Sequence, residues 1–252
     1  MTIKDSSTSP VKKPKTALVI EGIHGIGAAI CRALKADGFQ VIAHHWQDWT
    51  QARAFASAED IPIMEWSMSS WEACQTGLSD IARHWSMPSV LVNHVRSLTP
   101  TSWDSITPQQ WSNDVTSPLT GAMALMQGVV PSMCQKGYGR LITVGRFHGL
   151  SDSTETVIGH TLNASLLGLT KTMAKDIAPY GVTANMVATG HVRTQEIDGI
   201  DPDMLEHCVK NIPLKRLGTP EEIANLVVFL CSSHAAFMTG STLHVNGGQW
   251  MA

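Results

Sequence analysis

The sequence predicts an α/β fold in which helices cover both faces of a parallel sheet. Apolar runs of strand length alternate with stretches of helical periodicity, which is typical of a sheet whose strands are buried on both faces. A glycine-rich turn joins the first apolar run to the first helical stretch. The length of 252 residues suits one doubly wound domain of the larger size.

The individual elements follow from the same alternation. Strands are predicted over the apolar runs 17–20, 39–43, 90–92, 141–144, 182–187 and 242–245. Helices are predicted over residues 25–36, 157–178 and 220–230, and in the second of these apolar side chains recur every three or four positions. The third helix has a strong start, because Thr219 supplies a hydroxyl cap and Pro220 and two acidic residues follow it.

Composition and charge exclude several classes of function. The net charge of −3 and the pI of about 6.4 predict neither a nucleic acid nor an anionic membrane as partner. No apolar run approaches the ~20 residues of a membrane span. The five cysteines lack the spacing of a zinc or disulfide framework, so we expect no metal and a cytoplasmic location. Residues 1–15 are predicted to be a flexible tail and residues 16–252 a single domain.

The glycine-rich turn is the first candidate site. The segment Gly22-Ile23-His24-Gly25-Ile26-Gly27 follows the first strand and opens a helix. Glycines in such a turn let the backbone approach a dinucleotide pyrophosphate, and the helix amides face its phosphates. The pattern therefore predicts a Rossmann-like nucleotide site. The alternative is that Gly25 and Gly27 serve only the close packing of helix and strand.

Longer motifs carry a family resemblance. They are Gly139-Arg140-Leu141-Ile142-Thr143-Val144-Gly145, Gly181-Val182-Thr183-Ala184-Asn185, Ile212-Pro213-Leu214-Lys215-Arg216-Leu217-Gly218 and Val245-Asn246-Gly247-Gly248. Through them residues 16–252 resemble short-chain dehydrogenases/reductases, in the branch of acetoacetyl-CoA reductases and related 3-oxoacyl thioester reductases. The resemblance implies a homo-oligomer (tetramer or dimer) or a hetero-oligomer with an active paralogue, built largely on the last strand and the helix before it.

The resemblance also places the four catalytic positions of the family on residues of other types. The family's asparagine, serine, tyrosine and lysine fall on Pro118, Arg146, Gly159 and Asn163. In the family the tyrosine is the general acid and the lysine lowers its pKa. Gly159 has no side chain, Asn163 has no charge and Pro118 has no donor. We therefore expect hydride transfer by the family's mechanism to be absent.

Several cofactor positions depart from the family's pattern as well. Glu21 stands at the first family glycine, where a carboxylate opposes phosphate, and we expect it to pair with Arg96 of the segment Asn93-His94-Val95-Arg96. At the end of the second strand His44 replaces the acid that selects NAD, so any affinity should favour NADP. His24 stands where NADP-using relatives carry a base. The alternative is that His24 and His44 are ordinary loop histidines.

Accordingly, we predict that the protein binds no nicotinamide cofactor or binds NADP(H) only weakly. The residues that the resemblance assigns to such binding are Gly22, His24, Gly25, Ile26, Gly27, His44, Asn93, Gly190 and Thr194.

Three functions remain open at this point. The first is a non-catalytic or regulatory subunit of an oligomer. The second is an NADPH-dependent 3-oxoacyl thioester reductase with a recruited proton donor, for which His148, His160 and Arg96 are candidates. The third is a cofactor-independent acid/base enzyme, or a binder of an anionic or thioester small molecule, in which Arg96 and Arg146 hold the anionic group.

Overall fold

A parallel sheet of seven strands forms the centre of the structure, a computed structural model that describes residues 14–94, 102–146, 157–195 and 201–251. The strands are β1 (Thr16–Val19), β2 (Gln40–His45), β3 (Ile63–Glu65), β4 (Val90–His94), β5 (Gly139–Arg146), β6 (Val182–Thr189) and β7 (Thr242–Val245). Their spatial order is β3-β2-β1-β4-β5-β6-β7, and the direction of winding reverses between β1 and β4. The predicted α/β class is confirmed.

Helices cover both faces of this sheet. Within the described residues they are α1 (Gly25–Ala36), α2 (Trp49–Glu59), α3 (Trp71–His84), α4 (Pro108–Trp111), α5 (Ser117–Lys136), α6 (Val157–Ile177), α7 (Pro202–Lys210) and α8 (Pro220–Cys231). One apolar cluster joins the sheet to α1, α2 and α8, and a second joins it to α3, α5 and α6. The core therefore consists of two layers, one on each side of the strands, as the continuous apolar runs predicted.

The predicted start of α8 is confirmed in detail. The Thr219 hydroxyl accepts the Glu222 amide at 3.3 Å, and the Glu222 carboxylate accepts the Thr219 amide at 2.8 Å. Arg216 donates two hydrogen bonds to the same carboxylate, at 2.9 and 2.6 Å. These donors lower the pKa of Glu222 to about 2, with the Arg216 hydrogen bond as the largest cause. The carboxylate therefore stays ionised and completes the capping box.

A buried arginine ties the amino end of β5 to the last turn of α8. The Arg140 side chain donates to the carbonyls of Leu230 at 3.1 Å, Gly139 at 2.8 Å and Ser232 at 3.4 Å. Its guanidinium lies 4.5 Å from the ring centroid of Tyr138. A cation beside the last carbonyls of a helix also complements the helix dipole.

We predict that Arg140→Met lowers the free energy of unfolding by about 2–4 kcal/mol, because buried carbonyls lose their charged donor. Urea-induced unfolding measures the change. The matched control is Arg32→Met, since Arg32 pairs with Glu59 at 3.1 Å on the exposed surface. That variant should lower the free energy of unfolding by less than about 1 kcal/mol. Equal losses in the two variants would contradict the structural role of Arg140.

Candidate functional site at the carboxyl edge of the sheet

Most of the predicted site residues lie along one edge of the sheet. The glycine turn follows β1, His44 lies near the end of β2, Asn93 near the end of β4, and Arg146 ends β5, while Gly190 follows β6. In parallel sheets these carboxyl ends share an edge, and ligands bind in the crevice where the strand order reverses. The sheet reverses between β1 and β4, so the glycine turn borders that crevice.

The glycines of the turn are required by close approach of the backbone. A Cβ at Gly27 would overlap the Glu21 carbonyl oxygen, and one at Gly22 would lie 2.9 Å from the Val19 carbonyl oxygen. Gly25 has a φ of +41°, and a Cβ there would lie 3.0 Å from Thr194 Cγ2. Packing thus accounts for Gly22 and Gly27. Gly25, beside Thr194, keeps a left-handed backbone that suits glycine, and its role in phosphate binding stays a prediction.

Glu21 adopts the left-handed conformation, with a φ of +51°, at the position that the resemblance gives to a glycine. Two histidines from the strands beside β1 hold its backbone. His44 Nε2 lies 2.9 Å from the Trp66 carbonyl oxygen, to which it must donate, so its Nδ1 is free to accept the Glu21 amide at 3.5 Å. His94 Nδ1 donates to the Glu21 carbonyl oxygen at 3.4 Å. These contacts offset a backbone strain of about 1–2 kcal/mol.

Both histidines of this arrangement are neutral at pH 7. Burial lowers the pKa of His44 to about 4 and that of His94 to about 4. The 3.8 Å between His44 Nδ1 and Glu21 Oε1 is therefore not an ion pair at neutral pH. The His44 side chain is fully buried beneath the turn, so it supports the turn, and its role as a cofactor contact stays a prediction.

Two carboxylates that sequence reasoning did not single out lie at the carboxyl ends of β2 and β3, where Asp48 follows β2 and Glu65 ends β3. Asp48 caps α2, since its Oδ1 accepts the Gln51 amide at 3.2 Å, and its Oδ2 lies 3.0 Å from His24 Nε2. Glu65 Oε1 accepts the Gln47 amide at 3.0 Å. The signal for Asp48 was available, because Asp before a helical stretch is a common N-cap.

Of the residues predicted at the family's catalytic positions, Gly159 and Asn163 lie on α6 and carry no charge, Arg146 ends β5, and Pro118 lies on α5. Asn163 is 9% exposed, and its Nδ2 donates to the Gly159 carbonyl oxygen at 2.9 Å. Its Oδ1 fills the space beside Gly145, where a Cβ would overlap it. Pro118 lies in the first turn of α5, directly after a π-helical stretch, Ser112–Thr116. The amide of Asn163 is therefore turned toward its own helix and β5.

Both tyrosines of the chain lie at the opposite edge of the sheet. Tyr138 directly precedes β5, and its hydroxyl donates to the Cys231 carbonyl oxygen at 2.8 Å. Tyr180 precedes β6 and is exposed. On α6 the lysines are Lys171 and Lys175, both exposed and more than two turns beyond Asn163. No tyrosine hydroxyl therefore borders the crevice, and α6 presents no ammonium group at the position of Asn163.

The remaining predicted residues have separate outcomes. Arg96 and His148 lie outside the described residues, so the Glu21–Arg96 ion pair and a proton donor at residue 148 stay predictions. His160 follows Gly159 on α6 and is partly buried. Gly190 is tightly packed, since a Cβ there would lie 2.8 Å from Asn246 Cα. Asn93, near the end of β4, is buried, and its Nδ2 has no hydrogen-bond partner among the described residues.

Within the described ranges, no cluster of three or more His, Cys, Asp or Glu side chains has a geometry suited to a metal ion. Of the helices in those ranges, none combines the length and the apolar character that crossing a bilayer requires.

Comparisons with known proteins agree with the fold. Residues 22–249 match the family model described as Enoyl-(Acyl carrier protein) reductase. The acetoacetyl-CoA reductase of Rhizobium meliloti is 36% identical over 239 residues, which is 94% of this chain and 99% of that protein. The 3-oxoacyl-acyl-carrier-protein reductase FabG of Escherichia coli is 30% identical over 94% of this chain and 98% of its own length.

We predict that acid destabilises the protein through His44 and His94. Below the ordinary histidine pKa of about 6.5 the unfolded chain binds protons that the folded chain does not, so stability falls as the pH drops from about 6.5 toward 4. Each histidine contributes a loss of up to about 3 kcal/mol. Guanidinium chloride unfolding at about pH 7 and about pH 5 measures it.

The variants His44→Gln and His94→Asn test the assignment, because each keeps the donor that the structure uses and removes the titration. Together they should reduce the pH dependence, while His45, whose pKa burial also lowers, retains part of it. The control, His84→Asn, removes an exposed histidine and should leave the dependence unchanged. An unchanged slope in the double variant would show that other groups cause the acid sensitivity.

Proposed function

Because the chain belongs to the short-chain dehydrogenase/reductase family, we propose that it is a non-catalytic or regulatory member of that family, acting as a subunit of a homo-oligomer or of a hetero-oligomer with an active paralogue. The observation that supports this most is the composition of the carboxyl edge, where Gly159 and Asn163 stand at the positions that the resemblance predicts for the family's tyrosine and lysine. The location we propose is the cytoplasm, where the five free thiols stay reduced.

The chemistry of carbonyl reduction explains why these positions matter. Hydride addition to a carbonyl creates an alkoxide, which needs a proton from a group within hydrogen-bond reach and of suitable pKa. Gly159 offers no such group, and Asn163 offers a neutral amide that is already bonded to the Gly159 carbonyl oxygen. The two tyrosine hydroxyls belong to the other edge of the sheet. The side chains at these positions therefore supply no general acid and no cation to lower its pKa.

Apolar surface near the C-terminus supports the proposed role in assembly. Leu214 is 62% exposed and Met251 77% exposed, Phe237 is fully exposed, and Phe229 of α8 is exposed as well. In the described part of the sheet, β7 is an end strand that pairs only with β6. Large exposed apolar side chains beside an open strand edge are typical of a surface that another chain covers.

A second candidate is an NADPH-dependent 3-oxoacyl thioester reductase with a recruited proton donor. The observation that favours it is the similarity to acetoacetyl-CoA reductases along nearly the whole chain. The backbone of the glycine turn and the contact between Gly25 and Thr194 agree with this candidate. For this candidate, we propose that His160, one residue beyond Gly159 on α6, donates the proton.

We predict that the purified protein, at micromolar concentration, oxidises neither NADPH nor NADH in the presence of acetoacetyl-CoA. The rate should lie at least about a thousandfold below that of the Rhizobium meliloti reductase assayed in parallel, since a positioned general acid contributes factors of this order. Sedimentation should give a multiple of the 27.3 kDa chain mass. Turnover that His160→Ala abolishes would establish the second candidate, and a strict monomer that binds no paralogue would contradict the subunit role.

A further inference from the structure

We propose that Asp48 and Glu65, at the carboxyl ends of β2 and β3, form a ribose corner of the crevice. This corner accepts a nucleotide ribose with a free 2′-hydroxyl and rejects a 2′-phosphate. A dinucleotide held here is then NAD(H) and not NADP(H). This reverses the preference expected from His44 alone. The inference goes beyond the proposed function and concerns binding only, so it holds whether or not the chain transfers hydride.

The backbone of the glycine turn fits a dinucleotide pyrophosphate. Gly25 keeps a left-handed φ, and the α1 N-cap residue, His24, makes no side-chain hydrogen bond to the first turn of the helix. The first amides of α1, a helix of 12 residues, are therefore not capped by that side chain. A carboxylate at residue 21, the position that the resemblance gives to a glycine, would oppose the pyrophosphate by like-charge repulsion. Because both dinucleotides carry the same pyrophosphate, Glu21 weakens them equally and leaves their ratio unchanged.

The ribose corner, in contrast, distinguishes the two dinucleotides. The carboxylates of Asp48 and Glu65 are held in place there by backbone amides at 3.2 and 3.0 Å. Carboxylate oxygens accept hydrogen bonds from ribose hydroxyls, which is how Rossmann folds select NAD. A 2′-phosphate would instead bring about two further negative charges toward two carboxylates, and like charges repel.

The neighbouring basic side chains of the corner do not reverse this balance. Burial lowers the pKa of His45, whose ring nitrogens have no hydrogen-bond partner among the described residues. A neutral imidazole offers a lone pair and an N–H to a bound hydroxyl but no fixed charge to a phosphate. His24 is engaged with Asp48, and the Arg53 guanidinium lies 5.5 Å from the Trp49 ring centroid. The corner is therefore dominated by its two carboxylates.

The test is calorimetric titration of the full chain with NADH and with NADPH at low ionic strength. We expect NADH to bind at least about tenfold more tightly. In the double variant Asp48→Asn and Glu65→Gln the ratio should fall to within about threefold, since the charges are removed while Asn still caps α2 and Gln still accepts the Gln47 amide. The matched control is Asp60→Asn, which removes a carboxylate whose side chain is fully exposed at the other end of α2.

A further variant separates the corner from the pyrophosphate site. Glu21→Gly should tighten NADH and NADPH by the same factor and leave their ratio unchanged. Equal or tighter binding of NADPH by the wild-type protein would overturn the proposal. So would a ratio that persists in the double variant, or an absence of NADH binding in both the wild-type protein and Glu21→Gly. Each of these results is independent of the turnover assay, so a failure here is distinct from a failure of the proposed function.

Discussion

Two neutral imidazoles, one from each strand beside β1, hold the backbone of Glu21 in a conformation that residues other than glycine rarely adopt. His44 accepts the Glu21 amide and His94 donates to the Glu21 carbonyl oxygen. The same carbonyl oxygen leaves no room for a Cβ at Gly27, so it also fixes how closely α1 approaches the turn. Through Nε2, His44 reaches the Trp66 carbonyl oxygen just beyond β3. The shape of the crevice along β3, β2, β1 and β4 therefore depends on this arrangement.

The resemblance predicts that the chemistry of the crevice has changed while its backbone is kept. Carboxylates of Asp48 and Glu65 lie at the carboxyl ends of β2 and β3, and Glu21 follows β1. At the position predicted for the family's lysine, Asn163 presents a buried amide that packs against Gly145. A fold can persist in this way because its stability rests on the two apolar layers and on links such as Arg140, which lie apart from the crevice. Function, in contrast, belongs to the side chains of the site.

The fold could be predicted because the buried strands leave long apolar runs in the sequence. β3 leaves no such run, since its three residues are only partly buried, and it was missed. The spacing of the glycines predicted the turn after β1. It did not predict that His44 is buried beneath this turn, because the contacts of a strand residue depend on the neighbouring strands. Asp48 could have been recognised as the N-cap of α2, but its approach to His24 could not, since the left-handed Gln47 redirects the chain after β2 and single-sequence spacing does not show such a bend.

The protonation states of His44 and His94 give the most direct test of this account. Nuclear magnetic resonance of histidine labelled with ¹⁵N in its ring reports which nitrogen carries the proton. The account predicts a neutral Nε2–H tautomer for His44 and a neutral Nδ1–H tautomer for His94, with neither ring charged until the pH approaches about 4. A charged ring in either residue at about pH 6, near the ordinary histidine pKa, or the opposite tautomers, would contradict it.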